Sequence, residues 1–138
     1  MEKLLQGLRA AAEPTRLRII ALCGHAELSV NELVTILGQT QPRVSRHLKL
    51  LVEGGLLQRN KEGSRAYYRL SNEAEGLSLG QMLNDLIPDD DELHSLDLSR
   101  LSSVKAERVR YAESYADPYF QEITNLRDLW PTDEIIDE

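Results

Sequence analysis

The sequence is poor in the residues from which disulfide scaffolds, membrane spans and enzyme sites are built. Its single cysteine, Cys23, excludes an internal disulfide framework and fits a reducing, cytoplasmic location. No apolar run approaches the length of a membrane-spanning helix, and residues 1–6 lack the apolar segment of a secretory signal. The three histidines are scattered and Cys23 lies in an apolar stretch, so we predict neither a catalytic site nor a cofactor.

Positive charge is scarce in the second half of the chain. Residues 71–138 hold 5 Lys and Arg against 17 Asp and Glu, a net charge of −12. Residues 1–70 hold 11 Lys and Arg against 6 Asp and Glu, a net charge of +5. The overall charge of −7 therefore hides a basic half and an acidic half, which we expect to face different partners. Because phosphate repels the acidic half, only the basic half is expected to approach nucleic acid.

Residues 39–51 have the pattern of a helix with one apolar face and one cationic face. Thr40 is predicted to cap it through the side-chain oxygen, Pro42 stands in the first turn, and Gly54 follows its end. At 100° per residue, the inner face carries Val44, His47, Leu48 and Leu51, and the outer side carries Pro42, Arg43, Ser45, Arg46 and Lys49. Arginine can bind guanine bidentately and Ser, Thr and Gln can bind several base edges, so the outer side suits the major groove of DNA. A solvated surface helix is the alternative interpretation.

The residues before this helix predict a helix-turn-helix. Ser29 and Glu32 have the spacing of a capping box, which starts a helix over residues 30–37 that Gly38 ends. Two short helices joined by a tight turn with glycine make this motif, in which the first helix positions the second on DNA. An unrelated helical hairpin is the alternative.

The residues after it predict a β-hairpin. Residues 56–60 and 64–70 have strand composition, and residues 61–63 form the turn. In the second strand Ala66, Tyr68 and Leu70 are expected to pack, while Arg65, Tyr67 and Arg69 form a cationic and aromatic face. Such a hairpin after a helix-turn-helix is a wing, whose basic tip can reach phosphates or the minor groove.

Further helices are predicted on both sides of this unit. Residues 3–12 form a short amphipathic helix, and a second helix starts at Pro14 with Arg16 and Arg18 as exposed cations. Residues 73–87 form another, and residues 96–116 a long one with an apolar stripe that Arg108 interrupts. A lone domain has no core left for this stripe, so we expect a partner subunit to cover it. A last helix is predicted over residues 118–130.

The segments AEPTRLRIIALC and ELSVNELVTILGQTQPRVSRHLKLLVEGGLLQRNKEGSRAYYRLS resemble the ArsR/SmtB winged-helix repressors over about residues 3–71. The resemblance implies a cytoplasmic homodimer that binds a palindromic DNA operator and releases it on sensing a signal. A small-molecule effector is expected as one form of that signal. In this family the first and last helices build the dimer interface. The metal sensors carry a cysteine pair in the helix that corresponds to residues 30–37, and this sequence has none there. We therefore predict no metal ligands.

The segment VKAERVRYAESYADPYFQEITNLRDLW resembles a branch of the family that is fused to an S-adenosylmethionine-dependent methyltransferase. The resemblance implies either a free-standing relative or a truncated piece. No nucleotide-binding glycine motif follows it, so no methyltransferase activity is expected.

Together these patterns predict a mainly α (α+β) winged helix-turn-helix over residues 1–71 and an acidic helical extension for dimerisation and effector binding over residues 72–138. DNA contacts are predicted for Thr40, Gln41, Arg43, Ser45, Arg46, His47, Lys49, Arg59, Lys61, Arg65 and Tyr67. The dimer interface is predicted to contain Leu4, Leu5, Leu8, Leu98, Leu101, Val104, Tyr111 and Tyr115. Two alternatives stay open: a metal-responsive repressor of the same family, and a winged-helix protein-interaction module that does not bind DNA.

Overall fold

The computed structural model describes residues 1–114, so the predicted helix over 118–130 and Tyr115 lie outside the described residues. Its elements in chain order are α1 (Glu2–Ala11), α2 (Pro14–Cys23), β1 (Leu28–Ser29), α3 (Val30–Leu37), α4 (Gln41–Glu53), β2 (Leu57–Glu62), β3 (Arg65–Leu70), α5 (Ala74–Leu86) and α6 (Glu92–Ser114). No helix within this part of the chain combines the length and apolar character that crossing a bilayer requires. The winged helix-turn-helix predicted from the sequence is confirmed.

The helix starts follow the predicted caps with one exception. The Ser29 hydroxyl accepts the Glu32 N–H while the Glu32 carboxylate accepts the Ser29 N–H, so the capping box of α3 is confirmed. Thr40 is the N-cap residue of α4, but its side chain makes no capping hydrogen bond, and that prediction was wrong. Pro42 leaves the N–H of Arg43 as the remaining usual donor to a capping side chain, and the Thr40 side chain does not accept a hydrogen bond from it.

A three-stranded antiparallel sheet in the order β1–β3–β2 completes the winged helix. Its hairpin turn lies at Gly63–Ser64, and Lys61 and Glu62 belong to β2 rather than to the predicted turn. Gly63 has φ of 58°, a conformation that favours glycine. Strand β1, which pairs Leu28 with Tyr68, was not predicted because two residues carry no visible alternation.

Helix α1 packs closely against the end of α4 and against α5, with a glycine at each contact. A Cβ at Gly54 would lie 2.6 Å from Cβ of Ala10, and a Cβ at Gly7 would lie 2.7 Å from Cδ2 of Leu79. Both distances are shorter than real carbon–carbon contacts, but the end of the Leu79 side chain can shift whereas Cβ of Ala10 cannot, so glycine is required at position 54. The position of α1 is thereby fixed to the main chain at the end of α4.

Helix α6 packs on α2 and α3 of the same subunit. Leu101 lies in the common core with 4% of its surface exposed, and Leu98 and Val104 pack against that core. Arg18 forms a bidentate ion pair with Asp97, and Arg100 donates to the carbonyl oxygen of Ile36. The expectation that only a partner subunit could cover this stripe was therefore wrong, since much of it covers the subunit's own helices.

Candidate nucleic-acid interface

The outer face of α4 consists of Gln41, Arg43, Ser45, Arg46 and Lys49. The three cations and Gln41 are exposed, and Ser45 is half-buried, where its hydroxyl accepts a hydrogen bond from Gln41 Nε2 at 3.0 Å. The opposite face holds Val44, Leu48 and Leu51 in the core. Three buried aliphatic anchors therefore hold the helix while its cations remain available to a ligand.

Arg43 is oriented by a short chain of hydrogen bonds. Its Nε donates to Oε1 of Gln39 at 3.1 Å, and Nε2 of Gln39 donates to the hydroxyl of Thr15 at 3.0 Å. Thr15 is buried in the first turn of α2, so the chain of bonds begins at a fixed point of the fold. Gln39 was not predicted as a site residue, because the sequence does not show that Thr15 lies beside it.

His47 is buried between α4 and α2 and does not reach the outer face. It is 8% exposed, its Nδ1 lies 3.2 Å from Nη1 of Arg16, and its Nε2 lies 3.8 Å from Oε2 of Glu13. The prediction that His47 contacts DNA was therefore wrong, because this side chain lies on the apolar side of α4. Arg16, which also donates to the carbonyl oxygen of Ala10, and Arg18 are interhelical partners, not the exposed cations that the sequence suggested.

The burial of His47 gives the stability of the protein a pH dependence. Burial lowers the pKa of His47 below the usual 6.5, aided by Arg16, Arg43 and Arg46, although the Glu13 carboxylate opposes this. As pH falls below about 6.5, the unfolded chain takes up the proton first, so folded stability is lost. We expect the free energy of unfolding, measured with urea, to decrease as the pH is lowered from about 7.5 to about 5.5.

The variant His47→Gln should fold and should show a weaker pH dependence over this interval, because glutamine does not titrate. His25, whose pKa is lowered by burial and by His94 and Lys105, contributes in the same direction. The variant His25→Gln measures that separate contribution. An unchanged pH dependence in His47→Gln would contradict the assignment to His47.

The cations of the β2–β3 hairpin, which we call the wing, lie on both of its faces. Residues paired across an antiparallel ladder share a face, and Arg59 pairs with Tyr68 whereas Glu62 pairs with Arg65. Arg59 and Lys61 therefore share one face, and Arg65 and Tyr67 share the other. Arg59, Lys61 and Arg65 are exposed and Tyr67 is half-buried. The predicted cationic and aromatic face of β3 was wrong at Arg69, which is buried, and two of the three exposed cations lie on the opposite face of the wing.

Exposed apolar side chains concentrate on α1, α5 and the start of α6. Those more than a third exposed include Leu4, Leu5, Leu8, Met82, Leu86, Leu93 and Leu96. Of the predicted interface residues on α6, Tyr111 is exposed, Leu98 and Val104 are half-buried, and Leu101 is buried. Leu101 therefore cannot contact a partner subunit. Met82 and Leu86 of α5 are exposed apolar residues that were not predicted to lie at the interface.

The described residues contain no group of three or more potential metal ligands. His25 and His94 approach each other with ring centroids 6.5 Å apart, a contact that the sequence does not reveal. Two imidazoles supply fewer protein ligands than the usual zinc site. Cys23 is fully buried, and burial raises the pKa of its thiol, which keeps it protonated and unreactive.

A family model described as bacterial regulatory protein, arsR family, matches residues 13–59, which include α2, α3, α4 and the first part of β2. The arsenical resistance operon repressor of Escherichia coli is 47% identical over 68 residues, which are 49% of this chain and 58% of that protein. The arsenic resistance transcriptional regulator ArsR1 of Pseudomonas putida is 35% identical over 97 residues, which are 70% of this chain and 75% of that protein. The chain spans only about half the length of the first curated relatives that it matches.

Among solved structures, the homodimeric winged helix-turn-helix DNA-binding domain of Mb0332 from Mycobacterium bovis is similar, with a TM-score of 0.57 and 26% identity. The match covers 66% of this chain and 83% of that domain. The matched region contains the helix-turn-helix whose outer face is described above, and the P. putida regulator extends the likeness beyond the wing. The chain belongs to the ArsR family of bacterial regulatory proteins.

Proposed function

We propose that the protein is a homodimeric transcriptional repressor that binds a palindromic DNA operator through α4 and the wing. The observation that carries the proposal is the outer face of α4, where Arg43, Arg46 and Lys49 are exposed above three buried anchors. Relatives named as repressors support it, as does the homodimeric DNA-binding domain of Mb0332. The proposed base and phosphate contacts are Thr40, Gln41, Arg43, Ser45, Arg46 and Lys49 of the helix, with Arg59, Lys61, Arg65 and Tyr67 of the wing.

The acidic half is assigned a different role in this proposal. Residues 1–71 bind DNA, and residues 72–138 contribute to the dimer and respond to the releasing signal, a small-molecule effector. Leu79 of α5 and Leu101 of α6 share one core with the winged helix, which gives a physical connection between the two segments. The protein would act in the cytoplasm and without catalysis. The resemblance of residues 104–130 to the methyltransferase-fused branch belongs to the same proposal and is supported by sequence pattern alone.

The direct test is salt-dependent binding to a DNA site that the protein itself selects from a random pool. Phosphate contacts release counterions, so the binding constant for the operator should fall steeply as salt concentration rises. A protein-interaction module would show no such binding. Repeating the titration with Zn²⁺ tests the metal-responsive alternative, because a metal sensor would lose operator affinity when Zn²⁺ is added.

Arg46→Ala should weaken operator binding by about 1–3 kcal/mol if the guanidinium contacts a base edge. Binding to random DNA should change much less, since a base contact is lost only where the correct base is present. Arg110→Ala is the matched control, because Arg110 is an exposed arginine on α6 in the acidic half. Equal losses on operator and random DNA would reassign Arg46 to a phosphate contact.

A further inference from the structure

Arg108 of α6 joins the acidic extension to the first helix of the helix-turn-helix. Its Nε and Nη2 each lie 2.5 Å from an oxygen of the Glu32 carboxylate, so the pair is bidentate. The two side chains are only 11% and 18% exposed. Burial alone would raise the pKa of Glu32, but Arg108 and the bonds with Ser29 outweigh it and lower the pKa. The carboxylate is therefore held in its ionised form.

The same carboxylate also fixes the start of α3. Oε1 of Glu32 accepts the Ser29 N–H at 2.9 Å, and this bond is half of the capping box. Arg108 therefore binds the group that defines where α3 begins. A change in the position of α6 would act directly on the first helix of the DNA-binding motif.

Arg108 reaches the wing through a second residue. Its Nη2 donates to the carbonyl oxygen of Glu27 at 2.8 Å, and the buried Glu27 carboxylate accepts a hydrogen bond from Nδ2 of Asn60 at 2.9 Å. Asn60 lies in β2, and Ser29 of β1 pairs with Tyr67 of β3. Segment 27–32, which includes the first residues of α3, thus contacts α6 and both strands of the wing.

We propose that Arg108 is a positioning residue for DNA binding, which sets the placement of α3 and of the wing by holding segment 27–32. The proposal rests on the function proposed above. A buried ion pair is weak evidence for added stability, because desolvation offsets its Coulomb attraction. Its bidentate geometry on one carboxylate is better suited to fixing where the two elements lie than to stabilising the fold.

The test compares Arg108→Met with Arg110→Met, which removes an exposed arginine from the same helix two residues away. Operator affinity should fall roughly tenfold in Arg108→Met, within the range seen for coupling networks, and should stay within about twofold in Arg110→Met. In the DNA-free protein, amide hydrogen exchange should accelerate at Glu32 and in the wing of Arg108→Met, while the core of α2 stays protected. Equal exchange in both variants would overturn the proposal.

A double-mutant cycle with Arg65→Ala separates positioning from general destabilisation. If Arg108 places the wing, Arg65→Ala should cost less in Arg108→Met than in the unmodified protein, because the wing contact is already weakened. Additive losses would overturn the proposal. If Arg108→Met does not fold, Asn60→Ala can replace it, because this variant removes the hydrogen bond between the wing and Glu27 and leaves α6 unchanged. A double-mutant cycle of Asn60→Ala with Arg65→Ala then gives the same test.

Two independent measurements distinguish a failure of the proposed function from a failure of the proposed role of Arg108. An unmodified protein that did not bind DNA would end the repressor assignment. The exchange of the Glu32 and wing amides, measured without DNA, would still report whether Arg108 holds these elements.

Discussion

Leu101→Glu is expected to destabilise the subunit strongly rather than to separate two subunits. Leu101 is 4% exposed and belongs to the core that α2, α3 and α4 share. The change removes a buried leucine and places a carboxylate among apolar side chains, which should lower the free energy of unfolding by about 3–5 kcal/mol. Small domains have about 5–15 kcal/mol in total, so the loss is a large fraction of the stability. Urea denaturation followed by circular dichroism measures the loss.

Ser102→Glu is the matched control, since Ser102 is the next residue of α6 and is exposed. It adds the same charge to the same helix and should change stability by no more than about 0.5 kcal/mol. A Leu101→Glu protein that kept its unfolding midpoint but became monomeric would contradict the packing of α6 on its own subunit. It would restore the interface predicted from the sequence.

Leu8→Glu is expected to dissociate the proposed dimer while each subunit stays folded. Leu8 is 40% exposed on α1, beside Leu4 and Leu5, so the carboxylate remains in water in the monomer and would be buried only at an interface. Loss of the second half-site should reduce operator affinity by about 10²–10⁴-fold, as for other linked binding events. Sedimentation velocity measures the dissociation, and a competition assay measures the affinity.

Gln6→Glu is the control for Leu8→Glu, because Gln6 is exposed on the same helix and the variant carries the same added charge. It should remain dimeric. If Leu8→Glu also remained dimeric, the partner subunit would have to dock elsewhere, and the exposed Met82 and Leu86 of α5 would be the next surface to test.

Features that depend on nearby residues could be predicted from the sequence. The capping box of Ser29 and Glu32, the first-turn proline of α2 and the buried face of α4 are set by spacing within a few residues. The helix-turn-helix and the wing follow from the order of such local signals. The outer face of α4 was predicted correctly for the same reason, because helix geometry alone separates Arg46 from Leu48.

Features that depend on distant residues could not be predicted. From the sequence, Arg18 was interpreted as an exposed cation and Arg108 as an interruption of an apolar stripe. Each binds a carboxylate more than 70 residues away. Leu101 looked like an interface residue because the sequence does not show that α6 lies on α3. His47 was predicted to contact DNA, although its helical position places it with the apolar residues. In each case the tertiary partner decides the role.

The glycine contacts between α1 and α4 restrict how this protein could come to recognise a differently spaced operator. At Gly54 the main chain of α4 lies against Cβ of Ala10 and the carbonyl oxygen of Gln6 in α1, and neither atom can move away by a change of rotamer. In a dimer assembled through α1, the distance between the two copies of α4 is therefore set by the backbone contact between α1 and α4. Exchanging arginines on α4 can change which bases are preferred, but a new distance between half-sites requires rebuilding the junction of α1 and α4.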